Sequence, residues 1–226
     1  MKNIFGVLFM MGLCANTFAQ KIDFTDASHS DKEAKIILDN IKTNLNSYAA
    51  IQADFEYHVT IPEEAPKVQK GNMLVAGDKY ALDLNEYGIY CDSKTIWMFD
   101  KAVNEVNINN VEENEDILIS SPTDLLTFYQ KDEFIYAFYD EVVENRTIIT
   151  MIDFKPIDSD QDFFKIRLSV NKKTNLPTSA QMFYKDGTRI KVVFNTIKNT
   201  SDFDNNDFIL TKEKVGEGIE FVDLRY

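Results

Sequence analysis

The sequence predicts a mainly β fold of the α+β kind, with about eleven short antiparallel strands and few helices. Apolar and polar residues alternate from Ala53 to Ile61, which is the period of a half-buried strand. Turn formers such as Gly77-Asp78 and Asp186-Gly187 break the chain at short intervals, as hairpin connections do. With 17 Phe and 10 Tyr in 226 residues, the chain has enough large apolar side chains for the core of one β domain.

The strands are predicted in two groups. Residues 71–109 hold five of them, separated by turn formers, and form an antiparallel meander. Leu82 and Leu84 share one face of the second of these strands with Tyr80, and Trp97 shares one face of the fourth with Phe99. The later strands are predicted at 134–143, 146–154, 163–170, 177–185, 188–197, 208–210 and 219–224.

One amphipathic helix is predicted over residues 30–50. Ser30-x-x-Glu33 has the pattern of a capping box, in which each side chain bonds the other residue's free backbone N–H. Apolar residues then recur every three or four positions, so they form one stripe that packs on a sheet. The stripe comprises Ala34, Ile37, Leu38, Ile41, Leu45 and Tyr48.

Residues 1–19 have the pattern of a secretory signal peptide. Lys2 gives a positive start, residues 4–13 form an apolar core, and Thr17-Phe18-Ala19 is a cleavage site. The apolar run is too short to span a membrane. We therefore expect an exported chain, residues 20–226, that forms a single domain and does not insert stably into a membrane.

The net charge argues against nucleic-acid binding, and the cysteine content argues against a disulfide and a reactive thiol. Removal of the leader takes away Lys2 and changes the net charge from −13 to −14, so repulsion from phosphates argues against nucleic acid as a partner. Cys91 is then the one cysteine of the exported chain, which leaves no intramolecular disulfide. Because no histidine stands near it in sequence, we expect a buried, unreactive thiol.

No motif in the chain points to an enzyme, a metal or a cofactor. The sequence has no phosphate loop, dinucleotide fingerprint, G-x-S-x-G or H-E-x-x-H, and two histidines are few for acid–base chemistry. D-x-D-x-N at 202–206 with Glu213 imitates a calcium loop, but Asp207 stands where that loop needs glycine. His58 has no triad spacing and no second ligand nearby. We expect no catalytic residue, no metal site and no cofactor.

Several short motifs follow one another in a set order. They are I-x-A-x-F at 51–55, G-x-M-x-V at 71–75, D-S-K-T-I-W-M-F-D at 92–100, S-P-x-D-L-L at 121–126 and G-I-x-F-V-D at 218–223. The second and third are similar to a glycine-led strand followed by an S/D-G-K-T-L-W-x-Y-x-P turn and strand. In this order and spacing, the chain resembles the LolA family, the periplasmic outer-membrane lipoprotein carriers, over roughly residues 31–226.

The resemblance implies a strongly curved, incompletely closed antiparallel β-barrel with helices covering its open side and an apolar cavity inside. It implies a monomeric periplasmic carrier that binds the acyl chains of lipoproteins without covalent chemistry. Cargo would come from an inner-membrane lipoprotein-releasing ABC transporter and pass to an outer-membrane acceptor. Two other classes fit the same sequence: a carrier or binder of another lipid or small hydrophobic molecule, and a cargo-free extracytoplasmic interaction domain.

Two sets of residues are predicted to contact the cargo. Shared parity on successive strands predicts the cavity lining as Phe55, Tyr57, Leu74, Tyr80, Leu82, Leu84, Trp97 and Phe99. The short helix predicted near residue 125 is apolar on most sides, so it is not stable by itself in water and must pack on an apolar surface. The resemblance implies that it is a lid over the cavity, with Leu125, Leu126 and Phe128 as the lid contacts.

The chain departs from the family pattern at Ala76-Gly77. The family commonly has an arginine-proline pair there, and that arginine ties down the lid by hydrogen bonds. Its loss implies a lid held mainly by apolar contacts, unless Lys79 or Arg189 takes over the role.

Overall fold

The computed structural model describes residues 30–111, 128–130 and 132–225 of the chain. These residues form one long helix, one short helix, two 3₁₀ turns and twelve strands. Helix α1 is Lys32–Asn46 and α2 is Lys212–Val215, and the 3₁₀ turns are Phe128–Gln130 and Asn205–Phe208. The strands are β1 Ala50–Thr60, β2 Lys67–Ala76, β3 Lys79–Leu84, β4 Tyr87–Cys91, β5 Thr95–Asp100, β6 Glu105–Asn110, β7 Phe134–Glu144, β8 Thr147–Pro156, β9 Phe163–Asn171, β10 Leu176–Tyr184, β11 Arg189–Thr200 and β12 Glu220–Asp223.

All twelve strands belong to one sheet, in the order β12-β6-β5-β4-β3-β2-β1-β11-β10-β9-β8-β7. Neighbouring strands are antiparallel except β12, which pairs parallel with β6. The sheet is strongly curved, but its edge strands β7 and β12 do not pair, so it is not closed into a barrel. The predicted curved, incompletely closed β fold is confirmed, and the closing strand joins it in the parallel direction.

Helix α1 lies across one face of the sheet, against β7 and β10. Its N-cap is Asp31, not the predicted Ser30, because the Asp31 carboxylate accepts the backbone N–H groups of Glu33 and Ala34 at 2.7 and 3.5 Å. Ser30 Oγ instead accepts the backbone N–H of Tyr136 on β7. The Ser30 hydroxyl, which the sequence pattern predicts to cap the helix, therefore bonds the edge strand β7 instead. No helix in the described ranges is long and apolar enough to cross a membrane.

We call the sheet face under α1 the inner face, and the opposite one the outer face. The inner face carries the main hydrophobic core, built from the buried α1 stripe and from alternate residues of strands on both sides of β1. On β1, Ala53 and Phe55 are buried in this core, whereas Asp54 is exposed. His58 lies on the outer face, with its Nε2 3.1 Å from Glu56 Oε2. The alternation of β1 therefore follows the predicted pattern.

A second, smaller core lies on the outer face beneath the C-terminal segment. Trp97, Val106 and Leu210 are buried at its centre, and partly buried side chains that include Phe99 and Phe221 pack against it. The sheet therefore buries apolar residues on both faces where β4, β5 and β6 meet. This second core explains why apolar parity alone does not identify the inner face in this region.

The acidic stretch that imitates a calcium loop is a capped turn. The Asp204 carboxylate accepts the backbone N–H of Asn206 at 2.6 Å, and the Asp204 N–H donates to Asp207 at 2.8 Å. Among the described residues, no group of three or more His, Cys, Asp or Glu side chains is arranged to hold a metal ion. Phe208 ends the 3₁₀ turn, so the strand predicted at 208–210 is wrong, and the backbone bonds expected of a strand close a turn instead.

Glu141 on β7 is held by two bonds that lower the pKa of its carboxyl. Lys172 Nζ donates to Glu141 Oε1 at 2.6 Å and Thr150 Oγ1 donates to it at 2.8 Å, and the lysine bond has the larger effect. Because the pKa of this carboxyl is lower in the folded than in the unfolded chain, the ionised carboxylate stabilises the fold at pH values above its pKa in the unfolded chain. This contribution is lost as the pH falls through the pKa of the folded state. We predict that Lys172→Met raises the Glu141 pKa towards 4.5, as followed by NMR titration of the carboxyl. The neighbouring exposed Lys173→Met should leave it unchanged, and an equal shift in both variants would contradict this assignment.

Candidate functional site

Five of the eight residues predicted to line a cavity lie on the inner face: Phe55, Tyr57, Tyr80, Leu82 and Leu84. Phe55 and Tyr80 are 3% and 7% exposed, so packing already uses most of their surface. Tyr57, Leu82 and Leu84 are half-buried and contact the main core. The strand register groups them, since Gly71 on β2 pairs with Phe55 on one side and with Leu84 on the other.

Gly71 allows this cross-strand row to pack. A Cβ at that position would lie 2.6 Å from the Phe55 ring and 2.8 Å from the Leu84 side chain. Both distances are far below van der Waals contact, so the Phe55 ring occupies the space that a side chain at position 71 would need. The glycine at the start of the family's strand motif therefore has a local packing reason in this chain.

The other three residues of the predicted lining lie on the outer face, contrary to the expected shared parity. Leu74 pairs with Ala81, so it is one register step away from Leu82, which pairs with Met73. Trp97 pairs with Tyr90, and both belong to the second core together with Phe99. Alternation fixes which residues share a face within one strand, but only the hairpin registers relate one strand to the next.

The inner face keeps a half-buried apolar surface beside its fully buried core. Side chains such as Ile152 and Phe154 are 0% exposed and have no free surface left for a ligand. Thirteen partly buried hydrophobic side chains pack against this core. We call six of them, all on strands, the apolar lining: Tyr57, Leu82, Leu84, Ile89, Ile96 and Met182. An apolar concave surface of this kind is where hydrophobic ligands usually bind.

Half of the apolar lining was missed by sequence reasoning. Ile89 pairs with Leu82 across β3 and β4, and Ile96 pairs with Cys91 across β4 and β5. Both strands are only five or six residues long and are apolar on either side, so their inward parity gave no clear signal. Met182 lies far away in sequence on β10, and its place beside the others depends on the closure of β11 onto β1.

One end of the inner face offers hydrogen-bonding groups. Loss of hydration raises the pKa of Tyr57 and of Tyr184, and each of the two is placed on the inner face. Their hydroxyls therefore stay protonated at neutral pH and can donate. Gln69 pairs with Tyr57, and its buried Oε1 has no hydrogen-bond partner among the described residues. Beside Tyr184 lies an open cavity of about 550 Å³, lined by Asp162, Tyr184, Lys185, Asp186, Thr188 and Ile190.

Of the three predicted lid residues, Leu125 and Leu126 lie outside the described residues. Phe128 is 0% exposed and belongs to the main core. Its ring centroid is 4.8 Å from that of Phe154 and 5.7 Å from that of Phe134, both edge-to-face, an arrangement that aromatic pairs favour. Phe128 thus anchors the segment that follows residue 127 in the core of the inner face.

The two side chains considered as replacements for the family's arginine make other contacts. Lys79 Nζ donates to Asn205 Oδ1 at 2.7 Å, which ties β3 to the C-terminal 3₁₀ turn. Arg189 Nη1 donates to two backbone carbonyls of its own hairpin, at 3.1 and 2.8 Å. Residues 121–127 lie outside the described residues, so the lid contact of either side chain stays a prediction.

Cys91 is 1% exposed in the main core, as expected from the sequence. Burial is the main cause that raises the pKa of its thiol, and the carboxylates of Asp92 and Asp78 add to it. The thiolate is therefore scarcer at neutral pH than in a free cysteine. A nucleophilic role for this residue is not supported.

The comparison with known proteins agrees with this geometry. The chain matches the family described as "Outer membrane lipoprotein carrier protein LolA" over residues 46–211, a range that contains the whole apolar lining. An outer-membrane lipoprotein carrier protein from Histophilus somni (strain 2336) is 27% identical over 194 residues, which cover 83% of this chain and 88% of the relative.

Two solved structures are similar to this chain. An uncharacterized conserved protein from Thermus thermophilus has a TM-score of 0.52 at 13% identity, covering 85% of this chain and 99% of that one. A LolA superfamily protein from Nitrosomonas europaea has a TM-score of 0.42 at 12% identity, covering 78% and 97%. With the family match extending over most of its sequence, the chain belongs to the LolA family of outer membrane lipoprotein carrier proteins.

Proposed function

We propose that this protein carries the acyl chains of lipoproteins on the inner face of its sheet. The observation that carries the proposal is the apolar lining, a set of half-buried apolar side chains that lies beside an already complete core. Phe154 and Ile152 fill the core without leaving free surface, whereas the apolar lining keeps apolar surface on which an acyl chain can pack. Membership of a family of lipoprotein carriers supports the same function.

The polar end of the inner face suits the other part of such a cargo. Acyl chains would lie along the apolar lining, and the polar region that joins them to the protein would face the hydroxyls of Tyr57 and Tyr184. The open cavity beside Tyr184 leaves room for the cargo polypeptide to leave the site. In this arrangement no bond is made or broken, so the protein is a carrier and not an enzyme.

The free energy of burying an acyl chain determines how such a carrier works. Burying one CH₂ group is worth about 0.8 kcal/mol, so a 16-carbon chain gains on the order of 12 kcal/mol over water. A membrane gives the same chain much the same gain. The carrier therefore needs an energised donor, and a site open enough to release the chain to an acceptor.

This requirement leads to the complete route that we propose. The chain is exported after removal of residues 1–19 and works in the periplasm as a single domain. It receives cargo from an inner-membrane lipoprotein-releasing ABC transporter and passes it to an outer-membrane acceptor. A net charge of −14 after loss of Lys2 from the −13 of the full chain disfavours adsorption on anionic lipid, so transfer depends on partner proteins.

Native mass spectrometry of the exported protein purified from its host tests this proposal. We expect a bound mass that is released on collisional activation and that matches acylated lipoproteins or their acylated N-terminal portions. Release of phospholipid or of a small hydrophobic compound alone would identify a carrier of a different cargo. Recovery of the protein with no hydrophobic mass, and no uptake of a triacylated lipopeptide on addition, would contradict a carrier function.

A further inference from the structure

The outer face of β9, β10 and β11 carries four cations in two cross-strand rows. In the first row, Phe183 on β10 pairs with Lys165 on β9 and with Arg189 on β11. In the second row, Gln181 pairs with Arg167 on β9 and with Lys191 on β11. We call these four cations, with Phe183 and Gln181 between them, the basic rows. They stand out on a chain whose net charge is −13.

Aromatic rings accompany the cations of the basic rows. Lys165 Nζ lies 4.2 Å and Arg189 Cζ 5.0 Å from the centroid of the Phe183 ring. Arg167 Cζ lies 3.5 Å from the centroid of the Tyr139 ring. Tyr139 is 52% exposed, and Phe164, whose centroid is 6.2 Å from that of Phe183, is 45% exposed. The surface thus combines positive charge with exposed aromatic area.

The cations outnumber the carboxylates that neutralise them. Asp153 accepts two bonds from Arg167, at 2.6 and 2.8 Å, and lies 3.4 Å from Lys165 Nζ. Within the described part of the chain, Arg189 and Lys191 make no ion pair with a carboxylate. Glu56, on the neighbouring strand β1, is engaged with His58. One carboxylate, that of Asp153, therefore pairs with two of the four cations, and the other two have no carboxylate partner in the described ranges.

The positive charge of the basic rows is only partly compensated within the chain. Cations two residues apart on one strand lie about 6.4–6.8 Å apart and repel one another, and cation–π contacts at exposed sites return only about 0.5–1 kcal/mol each. From these observations we propose that the basic rows are a docking surface for an extended acidic segment of a partner protein. This surface is on the opposite side of the sheet from the apolar lining, so a partner and a cargo can be bound at once.

Spacing supports an extended peptide as the occupant. Residues two apart on one strand are about 6.4–6.8 Å apart, which is the separation of Lys165 from Arg167 and of Arg189 from Lys191 along their strands. An extended segment with carboxylates at every second position repeats the same spacing. Its apolar residues would meet the rings of Tyr139, Phe164 and Phe183.

Charge over the whole surface favours a protein segment rather than a lipid membrane. Screening at physiological ionic strength confines electrostatic attraction to about 8 Å, so a narrow segment would feel mainly the basic rows. A membrane is broad, and it would also bring anionic headgroups close to the acidic remainder of the surface. The chemistry of the site therefore fits carboxylates presented on a chain.

The test uses the exported protein and a labelled peptide of alternating Glu and Val with one Tyr. Binding is measured by fluorescence anisotropy and mapped by NMR on the backbone amides of residues 163–167 and 181–191. We expect binding that weakens as salt is raised, with the shifted amides in those two ranges. A peptide with Gln in place of Glu should not bind.

Matched variants separate the basic rows from general charge. Lys191→Gln should weaken peptide binding about threefold or more, whereas Lys198→Gln, on the same strand and the same face, should not change it. Gln181→Glu places a carboxylate between Arg167 and Lys191, so it should raise the melting temperature and weaken peptide binding. The control is Gln52→Glu, which also lies beside an outer-face lysine, Lys198, but outside the rows.

The outcomes divide cleanly. Absence of binding at low salt, shifts at other amides, or equal loss in the Lys191 and Lys198 variants would overturn the docking surface. Binding to vesicles containing phosphatidylglycerol but not to the peptide would also overturn it, in favour of a membrane. Uptake of a fluorescent fatty acid, measured on the same samples, keeps this result separate from the carrier function, because the outer-face variants should leave that uptake unchanged.

Discussion

Replacement of Leu82 by Asp is expected to weaken binding of a fluorescent fatty acid at least about tenfold. Covering a leucine side chain with a ligand is worth about 1.5–3 kcal/mol at most, and a carboxylate in its place must lose hydration to let the chain bind. Ten-fold corresponds to about 1.4 kcal/mol, so loss of one half-buried contact is large enough. The measurement is a fluorescence titration on protein whose folded state is verified by circular dichroism.

The matched control is Leu74→Asp. Leu74 and Leu82 are both half-buried leucines on adjacent strands, but Leu74 lies on the outer face, in register with Ala81. The same substitution there should change probe affinity less than about twofold, a difference smaller than about 0.5 kcal/mol. Similar losses in the two variants would show that the probe does not distinguish the two faces, and the apolar lining would not be the binding surface.

Phe128→Ala is expected to cost about 3–5 kcal/mol of unfolding free energy. The ring is 0% exposed and is surrounded by Phe154, Phe134 and Tyr129, so its removal leaves a cavity that rigid aromatic neighbours cannot fill. A typical domain has only about 5–15 kcal/mol of stability in total. Urea unfolding followed by the fluorescence of Trp97 measures the effect.

Phe164→Ala provides the comparison, because Phe164 is 45% exposed on the outer face. We expect it to cost about 1 kcal/mol or less. If Phe128→Ala costs no more than this but abolishes fatty acid binding, then Phe128 acts as a lid contact, as the resemblance implied, and its packing in the core is not what the fold depends on.

Within single strands, the sequence predicted side-chain direction well. The alternation of β1 correctly separates Ala53 and Phe55 from Asp54 and Glu56, because one face of that strand is covered by core and the other by water. The same reasoning failed for Trp97, since β5 is covered on both faces and its position relative to β3 depends on two hairpin registers. Turn residues indicated that hairpins exist, but not how many residues each strand contributes before the chain turns.

The cap of α1 and the basic rows depend on contacts between residues far apart in sequence, so the sequence did not predict them. Ser30 fits a capping box locally, yet its hydroxyl bonds the edge of β7, more than a hundred residues away in sequence. The basic rows could not be predicted from the sequence either, because their four cations form no cluster along the chain. These cations are Lys165, Arg167, Arg189 and Lys191. They become neighbours only through the pairing of β9 with β10 and of β10 with β11.

Photocrosslinking tests the central claim, that an acyl chain lies on the inner face, most directly. The protein is loaded with a triacylated lipopeptide that has a diazirine near the end of one acyl chain, and the complex is irradiated. The adducts are then assigned by peptide mass spectrometry. We expect adducts on the apolar lining, above all at Leu82, Ile89, Ile96 and Met182. Adducts concentrated on Leu74 or other outer-face residues, with the apolar lining unlabelled, would contradict the account.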